Sequence, residues 1–119
     1  MKIQFWSVGK DHEPYVKAGI SDYTARTGNY FSVSWKIIPS PKNAGLFPEA
    51  ELKKKEAELI LKNCDESDYL VLLDESGKSL SSSRLSDFLQ SRANESTRQL
   101  IFLIGGAYGS DSSIIKRAN

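Results

Sequence analysis

Apolar positions along this chain fall into four short strand-like runs, each followed by a stretch with helical spacing. In "KIQFWSV", Lys2 to Val8, the pattern turns Ile3, Phe5, Trp6 and Val8 inward, and Gly9 closes the run. "DHEPYVKAGISDYTART" then reads as a helix: Pro14 suits its first turn, and Tyr15, Val16, Gly19, Ile20 and Tyr23 form a face at three- and four-residue spacing. "GNY" breaks that helix. "FSVSWKII" alternates Phe31, Val33, Trp35 and Ile37 with Ser32, Ser34 and Lys36, so it is predicted as an edge strand with one wet face.

The irregular "PSPKNAGLFP" leads through Pro48 into a second helix, "EAELKKKEAELILKNC", with Leu52, Leu59 and Ile60 inward and Lys53, Lys54 and Lys55 mostly outward. "DYLVLLD" and "LIFLIGG" are unbroken apolar runs, the pattern of strands covered on both faces. Both are therefore predicted at the centre of a parallel sheet. Between them, "SLSSSRLSDFLQSRAN" offers serine caps followed by Leu85, Phe88 and Leu89 on one helical face. After Gly109, Ser110 or Asp111 can cap a last short helix carrying Ile114, Ile115 and Ala118. The order β-α-β-α-β-α-β-α predicts one α/β domain over residues 1–119, with a mostly parallel sheet and helices on both faces.

Composition narrows the function only a little. A length of 119 residues suits one domain with a real core. A formal net charge of +1 offers little long-range attraction for RNA, so an RNA partner requires a local basic patch. The single cysteine, Cys64, excludes an internal disulfide and favours a reducing, cytoplasmic setting. No signal peptide and no membrane-length apolar run is present in the sequence.

Ligands of open parallel sheets bind beyond the carboxyl ends of the strands. Three features fall there: Gly9 and Lys10, "LDESGK", and "GGAYG". The glycine pair Gly105 and Gly106 reads equally as a tight packing turn or as a place where backbone amides approach a ligand. "GGAYGSDSS" has neither the lysine of a phosphate-binding loop nor the dinucleotide spacing. A phosphoacceptor receiver domain is excluded because Ser7, Val8 and Gly9 stand where acidic residues are required. Asp74 and Glu75 could be catalytic carboxylates, but the following "SGK" favours a turn in which Gly77 takes positive φ. His12 has no companion ligands, so no metal site is expected. Cys64 is expected to be a packed thiol. Lys53 to Lys55 are either a solvated helix face or, with Lys36, Lys42 and Arg84, an RNA-contacting patch.

Four segments, "KIQFWSVGK", "YVKAGISDYTAR", "LDESGKSLSSSRLSDFL" and "FLIGGAYGSDSSIIKRAN", strongly resemble the RlmH family, the ribosomal RNA large subunit methyltransferases H of the SPOUT class. The resemblance spans essentially the whole chain, and the pairing of "LDExGK" with "xIGGxxG" is specific to that family. It implies a trefoil-knotted α/β fold and a cytoplasmic homodimer without a metal. The implied reaction transfers a methyl group from S-adenosyl-L-methionine to N3 of a pseudouridine in 23S rRNA of the assembled ribosome. It also implies that Leu73, Gly105 and Gly106 line the adenosyl pocket.

Family chains continue beyond the equivalent of Asn119 with a strand, a loop like "LSLSxMT" and a helix bearing a "YRA" signature. That segment supplies the threaded part of the knot, a third pocket wall and much of the dimer interface. On the resemblance, this chain is expected to lack the segment and to expose an apolar strip beside Leu100 to Ile104. The alternative expectation is a catalytically inactive, self-associating module of the same family, and a third is a different nucleotide-binding α/β domain. With two pocket walls of three, the 119-residue chain is expected to bind S-adenosylmethionine poorly or not at all. Calorimetry beside a chain extended by the family segment checks this, and micromolar affinity of the short chain would contradict it.

Overall fold

The computed structural model describes residues 1–9, 13–105 and 109–119. Its elements are β1 (Lys2–Val8), α1 (Pro14–Thr27), β2 (Ser32–Ile38), α2 (Glu49–Asn63), β3 (Tyr69–Leu73), α3 (Ser82–Asn94), β4 (Gln99–Ile104) and α4 (Ser112–Arg117). A single 3-10 turn, Ala44–Leu46, interrupts the segment before α2. All strand pairings are parallel, in the order β2-β1-β4-β3. The α/β architecture expected from the sequence is the one observed.

Side-chain alternation gives the sheet two apolar faces. On one face Trp6, Leu70, Ile101 and Leu103 pack with Ala57 and Ile60 of α2 and Ile114 of α4. On the other, Ile3, Leu100 and Phe102 pack with Phe88 and Leu89 of α3. An aromatic row crosses this second face: Phe5 stacks on Trp35 at 5.0 Å and on Phe102 at 5.3 Å between ring centroids. Such offset pairs add to simple area burial.

Two expectations are corrected. β3 is an edge strand of this sheet, not a central one. Its unbroken apolar run reflects helices on both of its faces, and facial cover is independent of whether a strand has two hydrogen-bonded neighbours. The outward backbone groups of Leu70 are instead met by Asn119, whose N–H donates to the Leu70 carbonyl and whose Oδ1 accepts from the Leu70 N–H, each at 2.9 Å. The second correction concerns α1, which starts at Pro14 as expected but has no buried residue. Tyr15 and Tyr23 of its supposed inner face are largely exposed. The helix packs along the β2 edge, where Trp35 Nε1 donates to Thr24 Oγ1 at 3.0 Å. β2 itself is the expected edge strand, with alternating exposure along its length.

Caps follow the local sequence. Ser81 Oγ accepts from the Arg84 N–H at the start of α3. At its end Ser96 takes a left-handed φ of 61°, and the Thr97 N–H returns to the Arg92 carbonyl at 3.0 Å.

Leu103 is fully buried in the strand that both neighbours depend on. Leu103→Ala is expected to cost about 2–5 kcal/mol, whereas Tyr15→Ala on the exposed face of α1 is expected to stay within about 0.5 kcal/mol. Urea unfolding of both variants checks the contrast.

Candidate functional site

Because every strand runs the same way, Val8, Ile38, Leu73 and Ile104 all end on one rim of the sheet. The last row on the α3 face reads Ile37, Ser7, Ile104, Leu73 in register. Helix cover thins there, leaving Leu73 49% and Ile104 37% exposed side by side. The strip expected beside β4 is not found along the strand, whose two edges pair with β1 and β3; the exposed apolar pair lies at the strand ends. Ser7 lies buried in the middle of the row, and its Oγ has no hydrogen-bond partner among the described residues.

Tight turns follow β1 and β3. Gly9 sits at φ 112°, a conformation L side chains resist, and its N–H donates to the Ile38 carbonyl at 3.0 Å. After β3, Asp74 accepts from the Ser76 hydroxyl and, at 3.2 Å, from the Ser76 N–H, and the Gly77 N–H returns to the Asp74 carbonyl at 2.9 Å. These bonds to Ser76 hold the Asp74 carboxyl below the usual aspartate range. Asp74 is thus a turn residue, as the sequence favoured. The expected positive φ at Gly77 is not found, because a type of turn closed by a simple carbonyl-to-amide bond with Asp74 bracing it has no need of one.

After β4 the chain folds back on itself. A side chain at Gly105 would meet Ser110 Oγ at 3.0 Å and the Gly109 carbonyl group at 3.7 Å. The space at Gly105 is therefore used by the returning loop. Gly109 then takes φ 85°. Asp111 caps α4, accepting from the Ser113 hydroxyl at 2.7 Å and the Ser113 N–H at 3.1 Å. Those two bonds, with smaller help from Lys53 and Lys54, hold its carboxyl below the ordinary range.

Of the residues assigned by resemblance, Leu73 and Gly105 come together, since Leu73 pairs with Ile104 and Gly105 follows directly. Gly106 lies outside the described residues, as do Lys10 and His12. The suggested basic patch is not one surface. Lys36 Nζ donates to Asn63 Oδ1 at 2.7 Å and lies 5.2 Å from the Trp6 ring centroid, and Lys55 lies over Phe47 at 4.8 Å. Arg84 belongs to α3, across the sheet from α2.

Sequence reasoning missed a clamp at the opposite, amino end of β3. Arg117 Nη2 donates to the carbonyls of Asp65 at 2.7 Å and Asp68 at 2.8 Å, and lies 3.4 Å from Cys64 Sγ. Burial pushes the Cys64 thiol up despite the guanidinium, so it is a packed thiol as expected. No local pattern announces this clamp, whose partners lie about fifty positions away in the chain. Among the described residues there is no metal-binding group of three His, Cys, Asp or Glu, and no helix long and apolar enough to cross a membrane.

Residues 1–119 match the family model described as "Predicted SPOUT methyltransferase". The chain belongs to the SPOUT methyltransferase family. Similar proteins carrying the name ribosomal RNA large subunit methyltransferase H come from Cytophaga hutchinsonii, 41% identical over 119 residues, and Christiangramia forsetii, 40% identical over 119 residues. In both, the match covers all of this chain and 76% of the relative. A third, from Alkaliphilus oremlandii, is 39% identical over 122 residues, covering all of this chain and 77% of that one.

The Asp111 cap yields a pH test. Its carboxyl is lowered on folding, so its stabilisation is complete above the ordinary aspartate range and is lost as pH falls through the lowered folded value. Asp111→Ala is expected to lower the melting temperature at about pH 7, with the gap closing toward about pH 2. A gap of constant size across a pH series of melting curves would contradict this.

Proposed function

We propose that this chain is a 23S rRNA pseudouridine-N3 methyltransferase that uses S-adenosyl-L-methionine and acts on the large ribosomal subunit as a cytoplasmic homodimer. One observation carries the reading: the side-by-side exposure of Leu73 and Ile104 on the carboxyl rim, directly before the Gly105 turn, in a SPOUT-family sheet. The relatives' names supply the substrate class.

The rim suits an adenosyl group. Two aliphatic side chains present a flat apolar lip, and the strand-end backbone offers amides and carbonyls to the edge of a purine. The described lip, Leu73 and Ile104, contains no cation, which fits a donor whose own sulfonium is positive. Leu73, Gly105 and Gly106 would hold the adenosyl moiety. When bound, S-adenosylmethionine supplies an activated methyl group on sulfur. The protein's task is then to set the methyl in line with N3 of the base while the N3 proton passes to a base, and alignment of that kind can supply a large part of the rate. The turn braced by Asp74 and Ser76 and the fold-back of Ser110 onto Gly105 fix the two strand ends that form the lip.

The biological reaction is tested by deleting the gene that encodes the chain and analysing large-subunit RNA by mass spectrometry. The expected result is loss of one methyl group from a single pseudouridine, restored by returning the gene. An unchanged modification pattern would refute the assignment. For the donor site, Leu73→Ala removes an exposed side chain, so folding is expected to change little while S-adenosylmethionine affinity falls roughly tenfold. Saturation-transfer NMR titration reads weak and tight binding alike, and equal affinity would remove Leu73 from the site. Thermal stabilisation by ATP or NAD but not by S-adenosylmethionine would instead favour a different nucleotide-binding domain.

A further inference from the structure

Two buried polar side-chain atoms lack a hydrogen-bond partner among the described residues, Ser7 Oγ and Arg92 Nε. Arg92 is otherwise engaged: its Nη2 donates to Glu95 Oε2 at 2.6 Å, and its guanidinium lies 4.4 Å from the Tyr69 ring centroid. Ser7 has no such account. The residue is only 7% exposed, and a hydroxyl left unpaired at that depth destabilises the folded state. An alanine there would carry no such cost.

Its position is specific. On the α3 face, Ser7 stands one row beyond the stacked rings of Trp35, Phe5 and Phe102. In its own row it pairs with Ile37 of β2 on one side and Ile104 of β4 on the other. Past Ile104 lies the exposed Leu73, about 10 Å from Ser7 at two strand spacings. Past Ile37 a groove of about 440 Å³ opens between α1 and β2, lined among others by Lys17, Ile20, Thr24, Trp35 and Ile37. Trp35 and Ile37 share the face of Ser7, so lip and groove open on one face with the hydroxyl between them. A groove of that volume suits a small ring system. Apolar walls with an aromatic side chain are how unstacked RNA bases are held.

We propose that the target base of the substrate RNA enters the groove between α1 and β2, and that the Ser7 hydroxyl donates a hydrogen bond to a carbonyl oxygen of that base beside N3. This rests on the rRNA methyltransferase reading above. In the transfer, N3 gives its proton to a water molecule and its electron pair forms the bond to the methyl carbon. The pair of the broken carbon–sulfur bond stays on sulfur. Loss of the proton leaves negative charge shared between N3 and the two flanking carbonyl oxygens. A donor fixed in advance at one of those oxygens stabilises the charge with little reorganisation. The partly exposed side chains of Ile37 and Ile104 border Ser7, and a rotamer change of either gives the base access to the hydroxyl.

The test uses the protein as its gene encodes it, with large ribosomal subunits from the deletion strain as substrate. Wild type, Ser7→Ala and Ser7→Cys are compared in three measurements: kcat for methyl transfer, S-adenosylmethionine affinity by titration, and melting temperature. Ser7→Ala is expected to lower kcat roughly a hundredfold, with donor affinity within about twofold of wild type. Its melting temperature is expected to be unchanged or higher, because the unpaired hydroxyl is gone. Ser7→Cys keeps nearly the same volume with a far weaker donor, and its kcat is expected to fall by at least about tenfold. Wild-type kcat in either variant would overturn this inference and leave the function standing. A fall in kcat matched by a fall in donor affinity or in melting temperature would overturn it too, assigning Ser7 to the donor site or to packing. Wild type that transfers no methyl group to the subunits would refute the methyltransferase reading itself.

Discussion

Everything functional here depends on the parallel hydrogen-bonded register of β4 between β1 and β3. That register aligns Phe5, Phe102 and Val71 across the sheet, and one step later it aligns Ser7, Ile104 and Leu73. The middle row is packed by stacked aromatics and α3, whereas the last row emerges from helix cover. A shift of one residue would turn Leu73 and Ile104 to the opposite face and separate the lip from its turns. β4, with Leu100, Ile101 and Leu103 wholly buried, resists such a shift.

The two ends of the sheet are built for different work. At the amino end, Arg117 and Asn119 bind backbone groups of the segment entering β3, so α4 is fastened to the start of that strand. At the carboxyl end, Gly9 follows β1 and a short turn braced by Asp74 and Ser76 follows β3. The first arrangement holds the core in place. The second leaves backbone and the aliphatic side chains of Leu73 and Ile104 open.

Much of this was legible in the sequence. Strand and helix limits followed periodicity closely, because Ile3, Trp6, Ile60 and Leu103 are buried by the same alternation that marks them. Two features misled. The apolar run of β3 reports cover on its faces and is silent about its edge, so its position beyond β4 had to come from structure. Tyr15, Val16 and Tyr23 have helical spacing, yet in this chain that face of α1 meets solvent. The motif "LIGG" pointed to the correct rim, but periodicity cannot show that Gly105 is needed first for Ser110 to fold back against it. Nor can it show which of several lysines find partners, since Lys36 and Lys55 are occupied by residues distant in sequence or in type.

The central claim is that the carboxyl rim, and not another surface, receives S-adenosylmethionine. The molecule offers its own control: a cavity of about 690 Å³ at the amino end, lined by Met1, Lys2, Ser32 and residues 96–99 among others. Backbone amide shifts followed by two-dimensional NMR during titration with S-adenosylmethionine distinguish the two. The account predicts movement of Leu73, Asp74, Ile104 and Gly105, with Lys2 and Gln99 unmoved. Shifts confined to the amino-end cavity, or no shifts at saturating ligand, would contradict it.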